Sequence, residues 1–391
     1  MLLLHDARVV LADRVLDRGW VAVEDGRIAG VGEGDPPPGH GARGSAHAVG
    51  LGGDHLIPGL VELHTDHLEV HFAPRPGVRW HALGAVLAFD AQMAAAGATT
   101  VFACLRAGQE ADGLGGFGGD LMPLGAALAE ARDGGLARCD LRTHLRCEVA
   151  APDAFEAALG FLDAGHPVHL ASLMDHTPGS RQYRDVEKYL AYAKRRGRGE
   201  AEMRALLAIR QAEGSAHAAR NRPRLAALLR ARGVPLASHD DTTEADVAVA
   251  VAEGATVAEF PTTPEAARAA RASGLAVLMG APNLVRGGSH GGNVAAEALA
   301  AEGLLDVLSS DYVPASLPMA AFDLPRRVPA ISLPEAVATV TRNPARAVGL
   351  ADRGEIAVGL RADLARVRLA DGGGGGVPVV RGTWRGGERV A

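Results

Sequence analysis

The sequence predicts an α/β fold, a TIM-like (β/α)8 barrel that carries a small β-sandwich built from both chain ends. Two patterns carry this expectation. The middle of the chain alternates short apolar runs of β type with alanine-rich helical stretches, and both ends read as short strands and tight turns. A length of 391 residues suits one large barrel with an appended layer.

Taken in order, residues 7–11, 19–23 and 28–31 are candidate strands, and Asp25-Gly26 between two apolar runs is a hairpin signal. Residues 32–47, rich in Gly and Pro, read as a loop. The same β style resumes after residue 350 and closes with a hairpin about Gly386-Gly387. Neither end can bury a face alone. They are therefore expected to pair as one composite β-sandwich, residues 1–56 with 350–391, leaving 57–349 as the barrel. Within the barrel the candidate strands are 60–65, 98–103, 140–148, 167–175, 234–239, 256–260, 275–279 and 305–310. Between them, residues 84–96, 123–133, 153–164, 198–212 and 222–232 place Ala, Leu, Glu and Arg at helical spacing.

Charge and cysteine content narrow the function classes. A net charge of −6 and a pI near 6.2 offer no basic excess for a nucleic-acid backbone, so any phosphate ligand must be met by a local arginine cluster. Cys104, Cys139 and Cys147 show no C-x-x-C spacing, which fits a reducing compartment. No window reaches the length of a membrane span and the first residues lack a basic leader pattern. The expectation is a cytoplasmic protein with neither nucleic acid nor membrane as partner.

The chemistry concentrates at strand ends. The run Pro58-Gly59-Leu60-Val61-Glu62-Leu63 leads into His64-Thr65-Asp66-His67-Leu68-Glu69, and strict alternation would put Glu62, His64 and Asp66 on one face. In such barrels the active site lies at the C-terminal ends of the strands. Strand 140–148 presents Arg142, His144, Arg146 and Glu148 on one face with Glu148 outermost. Further on, Asp175-His176, Ser238-His239-Asp240-Asp241 and Ser309-Ser310-Asp311 close three more strands. His64, Asp66, Glu148, His176, His239 and Asp311 thus form a set of N and O ligands suited to one or two ions of Zn, Mn or Fe, with a position left for water. Each of these residues alone also fits a structural role; their joint placement at strand ends does not. A metal-activated water points to hydrolysis, with Asp311 on the last strand as proton acceptor.

Ile57-Pro58-Gly59-Leu60, the His64/Asp66 and Asp311 strand ends, Asn343-Pro344-Ala345 and the closing run from Gly354-Glu355-Ile356 to Ala362-Asp363-Leu364 resemble the amidohydrolase superfamily across nearly the whole chain. Narrower segments resemble the PhnM family of phosphonate metabolism: Pro74-Arg75-Pro76, His144-Leu145-Arg146-Cys147-Glu148, Ser172-Leu173-Met174-Asp175-His176, Ala258-Glu259-Phe260-Pro261, Met279-Gly280-Ala281-Pro282-Asn283 and Arg286-Gly287-Gly288-Ser289-His290. That resemblance implies hydrolysis of α-D-ribose 1-methylphosphonate 5-triphosphate to the 5-phosphate and diphosphate, within the carbon–phosphorus lyase pathway. It also implies a small-molecule ribose phosphonate triphosphate as partner and a homodimer as the assembly. The superfamily's usual His-x-His is here His64-Thr65-Asp66, a harder ligand pair that shifts metal preference toward Mn or Fe. Glu148 stands in for the superfamily's carboxylated bridging lysine.

A triphosphate requires cationic and backbone donors. Arg75, Arg142, Arg146, Arg181 and Arg286 fall on or near these strand ends, and Ser289 and His290 belong to a Gly-rich loop whose backbone can approach an anion closely. Two other readings stay open at this point: a cyclic-amide hydrolase or deaminase of the same superfamily, and a non-catalytic scaffold of the pathway.

Overall fold

The computed structural model describes residues 1–36, 47–108, 120–177, 179, 181, 200–289, 291–370 and 376–391. Among the described residues the chain ends supply β1 (Leu2–Val10), β2 (Val15–Glu24), β3 (Arg27–Glu33), β4 (His47–Gly50), β5 (His55–Pro58), β14 (Leu364–Ala370), β15 (Val377–Arg385) and β16 (Glu388–Arg389). They form one hydrogen-bonded sheet in the order β16-β15-β14-β5-β1-β2-β3, with β4 also on β1. The antiparallel β5–β14 pair, Leu364 opposite Pro58 to Val367 opposite His55, joins the two ends.

The expected terminal β layer is thus one continuous sheet that folds about its own core. β1 changes partner near Asp6, whose φ is 54°: residues 2–5 pair with β4 and Arg8 and Val9 with β5. The core so enclosed holds Leu4, Val9, Val21, Ile28, Leu56, Leu364 and Trp384.

The barrel strands are β6 (Leu60–Thr65), β7 (Ala98–Ala107), β8 (Asp140–Glu148), β9 (Leu170–Met174), β10 (Leu236–His239), β11 (Ala255–Glu259), β12 (Ala276–Gly280) and β13 (Val307–Ser309). All run parallel in sequence order, matching the eight expected segments. A bridge between Thr65 and Asp311 joins the last strand to the first. Val61, Leu63, Phe102, Leu170, Ala237, Val257, Leu278 and Val307 fill the lower interior, while Leu60, Val101, Leu141 and Val277 face the helices.

One helical expectation changes. From residue 200 on, the expected stretches 198–212 and 222–232 fall on a single helix, Glu200–Ala231, that runs through Pro223. The polar residues between them stay helical, and Asn221, fully buried, donates to the carbonyls of Val149 and Ala151 at 3.1 and 2.7 Å. Among the described residues, no helix is long and apolar enough to cross a membrane.

Candidate metal centre

The barrel's C-terminal mouth is built by strands that end in polar residues and then turn sharply. Asp240, Phe260 and Asp311 follow β10, β11 and β13 with φ of 55°, 53° and 54°. Non-glycine residues in this left-handed region are uncommon and strained by about 1–3 kcal/mol, and they gather at functional sites. Here the turn keeps each strand's last polar side chain inside the barrel.

β6 departs from strict alternation. Its register with β7 slips between Glu62 and Thr65, so Leu63 joins the interior apolar layer while His64 also points inward. Glu62, expected beside His64 and Asp66, instead turns back onto the backbone. Its carboxylate accepts from the N–H of His64 and of Ser310, both at 2.6 Å, and burial pushes its pKa up to about 7 despite those donors. Glu62 therefore ties the first strand to the last at the level of Asp311.

His64 Nδ1 lies 3.1 Å from Glu259 Oε1, and His239 Nδ1 lies 3.1 Å from Glu259 Oε2. Ser172 Oγ donates to the same Oε2 at 2.7 Å and also meets His144 Nε2. Glu259 is fully buried; burial opposes its charge, but His64, His144 and His239 hold its carboxyl well below the usual range. The same pair drives His64 up against its own desolvation. His144 is pushed down to about 4, first by burial, with His64 and Arg146 adding to the effect against Glu259.

A second group faces it. Glu148 Oε2 lies 2.5 Å from His176 Nδ1, Glu148 Oε1 accepts from the His176 N–H at 3.1 Å, and Arg106 donates to Oε2 at 2.9 Å. Burial would raise the Glu148 carboxyl, but His176 and Arg106 hold it down at about 2. Asp240 Oδ2 lies 3.5 Å from His239 Nε2 and 3.8 Å from His176 Nε2.

Asp66 pairs with Arg146 Nη1, which with His64 overrides desolvation and holds its carboxyl at about 2. Asp311 is bound through its backbone: its N–H donates to His64 O at 3.1 Å and its carbonyl accepts from Asp66 N–H at 2.9 Å. Burial first, then the Asp66 charge, raise the Asp311 carboxyl.

These residues fit a divalent cation. Asp240 Oδ2 is buried and has no hydrogen-bond partner among the described residues. The donor atoms of His176, His239 and Asp240, and separately of His64, His239 and Glu259, all lie within 4.8 Å of one another. In the first of these groups the Asp240 carboxylate converges with the Nε2 atoms of His176 and His239, and such converging lone pairs are what a cation would satisfy.

The expected ligands His64, Asp66, Glu148, His176, His239 and Asp311 thus come together at one mouth. Sequence reasoning did not single out Glu259, Asp240, Ser172 or Arg106 as site residues. The acidic end of the 256–260 strand was the available signal for Glu259.

The proposed phosphate-binding residues divide. Arg146 is at the mouth, paired with Asp66; Arg75 is exposed in an irregular segment, and Arg286 is exposed at the end of the helix Ala281–Arg286 that follows β12. Ser289 Oγ accepts from the Gly291 N–H at 3.1 Å; His290 lies outside the described residues. Arg181 is buried, with Nη1 donating to His239 O at 2.7 Å and to Asp241 Oδ1 at 2.5 Å, so its guanidinium braces the loop behind His239. Arg142 is not brought to the mouth. It sits near the start of β8 and pairs with Asp140 at 3.1 and 3.2 Å.

Comparison with known proteins gives this mouth a context. Residues 124–391 match the Amidohydrolase family. The chain is 44% identical over 378 residues to the alpha-D-ribose 1-methylphosphonate 5-triphosphate diphosphatase of Escherichia coli K12, covering 95% of this chain and 96% of that protein. The structure of N-acetyl-D-glucosamine-6-phosphate deacetylase from Mycobacterium smegmatis has a TM-score of 0.63 at 21% identity, over 100% of both chains. That of N-isopropylammelide isopropylaminohydrolase from Burkholderia multivorans has 0.64 at 18%, over 99% of this chain and 97% of that one. The structural likenesses speak for the fold, and the sequence match for the lineage: this chain belongs to the amidohydrolase family.

Proposed function

We propose that this chain hydrolyses α-D-ribose 1-methylphosphonate 5-triphosphate to α-D-ribose 1-methylphosphonate 5-phosphate and diphosphate, as a step of phosphonate catabolism in the carbon–phosphorus lyase pathway. The observation that carries the reading is the 44% identity, over nearly all of both chains, to a protein named for that activity. An acid- and imidazole-rich barrel mouth supports it independently, and a cytoplasmic location is part of the same proposal.

His64, Asp66, Glu148, His176, His239 and Asp311 would hold one or two divalent ions of Zn, Mn or Fe. Such an ion supplies Lewis-acid polarisation and lowers the pKa of water. Asp311 takes the proton of the attacking water at its carboxylate; its raised basicity and its place at the barrel seam suit that task. Arg146, Arg75, Arg286 and Ser289 bind the triphosphate and steady the departing diphosphate.

Diphosphate disperses its charge over more oxygens than a sugar phosphate, so attack is expected at the α-phosphorus. One turnover in ¹⁸O-labelled water, with both products analysed by mass spectrometry, tests this. Label is expected in the ribose 5-phosphate product; label in diphosphate places the attack at the β-phosphorus. Orthophosphate as the product, or turnover of hydantoins or dihydroorotate in preference to triphosphates, overturns the reading altogether.

A further inference from the structure

The carboxylate of Glu259 touches two imidazoles that come from opposite parts of the barrel. His239 is its register neighbour on β10, whereas His64 reaches it across the interior from β6. Both present Nδ1, at the same 3.1 Å, one to each carboxylate oxygen. A carboxylate can only accept, so both imidazoles must carry their proton on Nδ1. In the neutral rings that leaves Nε2 of each with its lone pair free, and in His239 this atom faces the buried Asp240 Oδ2, which has no hydrogen-bond partner among the described residues, at 3.5 Å.

The ring planes are fixed as well as the protons. Phe260 sets its edge against His64 at 4.9 Å and 87° and against His239 at 5.3 Å and 81°. Ser172 Oγ, at 2.7 Å, donates a third hydrogen bond to the carboxylate. Glu259 has no exposed surface, so no solvent competes for it.

We propose that Glu259 is a positioning residue: one carboxylate that sets the tautomer and orientation of both His64 and His239, so that their Nε2 atoms are preorganised for a divalent cation. Partners of this kind orient histidine ligands and raise their basicity, and losing one weakens metal binding about 10–100-fold. The inference rests on the metal-holding role proposed above for His64 and His239.

The two ideas separate experimentally. In metal-free wild-type protein carrying ¹⁵N-labelled histidine, at alkaline pH, long-range ¹H–¹⁵N correlation should show His64 and His239 as Nδ1–H tautomers, assigned from His64→Gln and His239→Gln. Either ring found as the Nε2–H tautomer, or averaging between tautomers, overturns the Glu259 role whatever the metal does. Glu259→Gln keeps one acceptor oxygen and puts an NH2 against the second ring, so one of the two rings should switch tautomer. Its affinity for Mn(II), measured by EPR of the free ion, should fall about 10–100-fold. Unchanged Mn(II) affinity in a folded Glu259→Gln protein also overturns it. If the tautomers are as expected but wild-type protein binds no divalent ion, the metal reading fails while the positioning geometry stands.

Discussion

The two ends of the barrel use the same residue types to opposite effect. At the N-terminal floor, Asp140 is held between two arginines: Arg353 Nη1 at 2.6 Å and Arg142 at 3.1 Å. Arg353 also donates to Thr100 Oγ1 at 2.9 Å. Charge there is balanced within the protein, and burial's tendency to raise Asp140 is outweighed by Arg142 and Arg353. At the mouth, Asp66, Glu148, Asp240, Glu259 and Asp311 face Arg106 and Arg146, with imidazoles making up the remainder. Buried charge without enough partners is costly. The floor is finished by its own residues, whereas the mouth calls for an added cation. Arg142 and Arg146, four residues apart on one strand, show that distance along the barrel axis, rather than side-chain identity, decides which role an arginine takes.

Substitutions at the two ends should therefore separate catalysis from stability. The largest effect is expected for Asp311→Asn. The amide keeps the carboxylate's shape but cannot accept the proton, so turnover should drop at least about 100-fold with bound metal retained in elemental analysis. A variant that keeps more than about a tenth of the wild-type rate, a loss of only about 1.4 kcal/mol in barrier, removes Asp311 from that role.

His239→Ala and His176→Ala come next. Each should lower bound metal per chain, whereas His217→Ala, on the long helix and near Arg220 at 3.2 Å, should leave it unchanged. Unchanged metal in His176→Ala would point to its neighbours Asp175 or Asp240 instead.

The floor should answer in stability rather than rate. Arg353 is buried, and Arg353→Ala removes one of the two arginines on Asp140 as well as the hydrogen bond to Thr100. A loss of about 2–4 kcal/mol in denaturant unfolding is expected, with kcat and metal content unchanged in the folded fraction. A fall in kcat without a fall in stability would mean that the floor is coupled to the chemistry.

His169 makes a smaller, pH-dependent test of the same end. Its Nδ1 accepts from the Thr143 N–H at 3.1 Å, and burial, with Arg142 and Arg132 adding and Asp140 opposing, pushes its pKa down to about 4. In the unfolded chain the imidazole titrates near its ordinary 6.5. Between those values the unfolded state binds more protons, so this histidine's contribution is intact above pH 6.5 and declines as pH falls toward 4. The ring is partly exposed, so the expected effect is on the order of 1 kcal/mol by pH 5. His169→Gln should flatten that part of the stability profile; an unchanged slope would mean that His169 accepts its proton in the folded state.

All the barrel strands and the pairing of the chain ends were legible because apolar runs, Gly turns and alanine-rich helices follow short-range rules. The mouth was legible where a ligand type closes a strand, as at Asp66, Glu148, His239 and Asp311. It was less so where alternation fails. Glu62 looked like a partner of His64 and is a backbone tie, because the register slip on β6 is set by pairing with β7. Glu259 was passed over because it reaches His64 across the barrel, a contact between residues 195 positions apart. Arg142 and Arg146 looked alike because period-2 alternation assigns a face but not a depth.

That difference in depth gives one more prediction. Arg286 ends the helix Ala281–Arg286, is exposed, and precedes Gly287 and Gly288, with φ of 79° and 152°. Nothing lies within 4 Å of where a Cβ on Gly288 would be, and beside Gly287 the nearest atom is Arg327 Nη1 at 3.7 Å. An anion approaching there would meet a guanidinium whose charge is solvent-screened, so one contact is worth roughly 1–2 kcal/mol. Arg286→Ala should raise KM for the triphosphate about 5–30-fold while leaving bound metal unchanged, and Arg142→Ala, paired with Asp140 at the floor, should leave KM as it was. A matched loss of metal and activity in Arg286→Ala would make the loop structural. A larger KM effect from Arg142 than from Arg286 would break the division between the two ends.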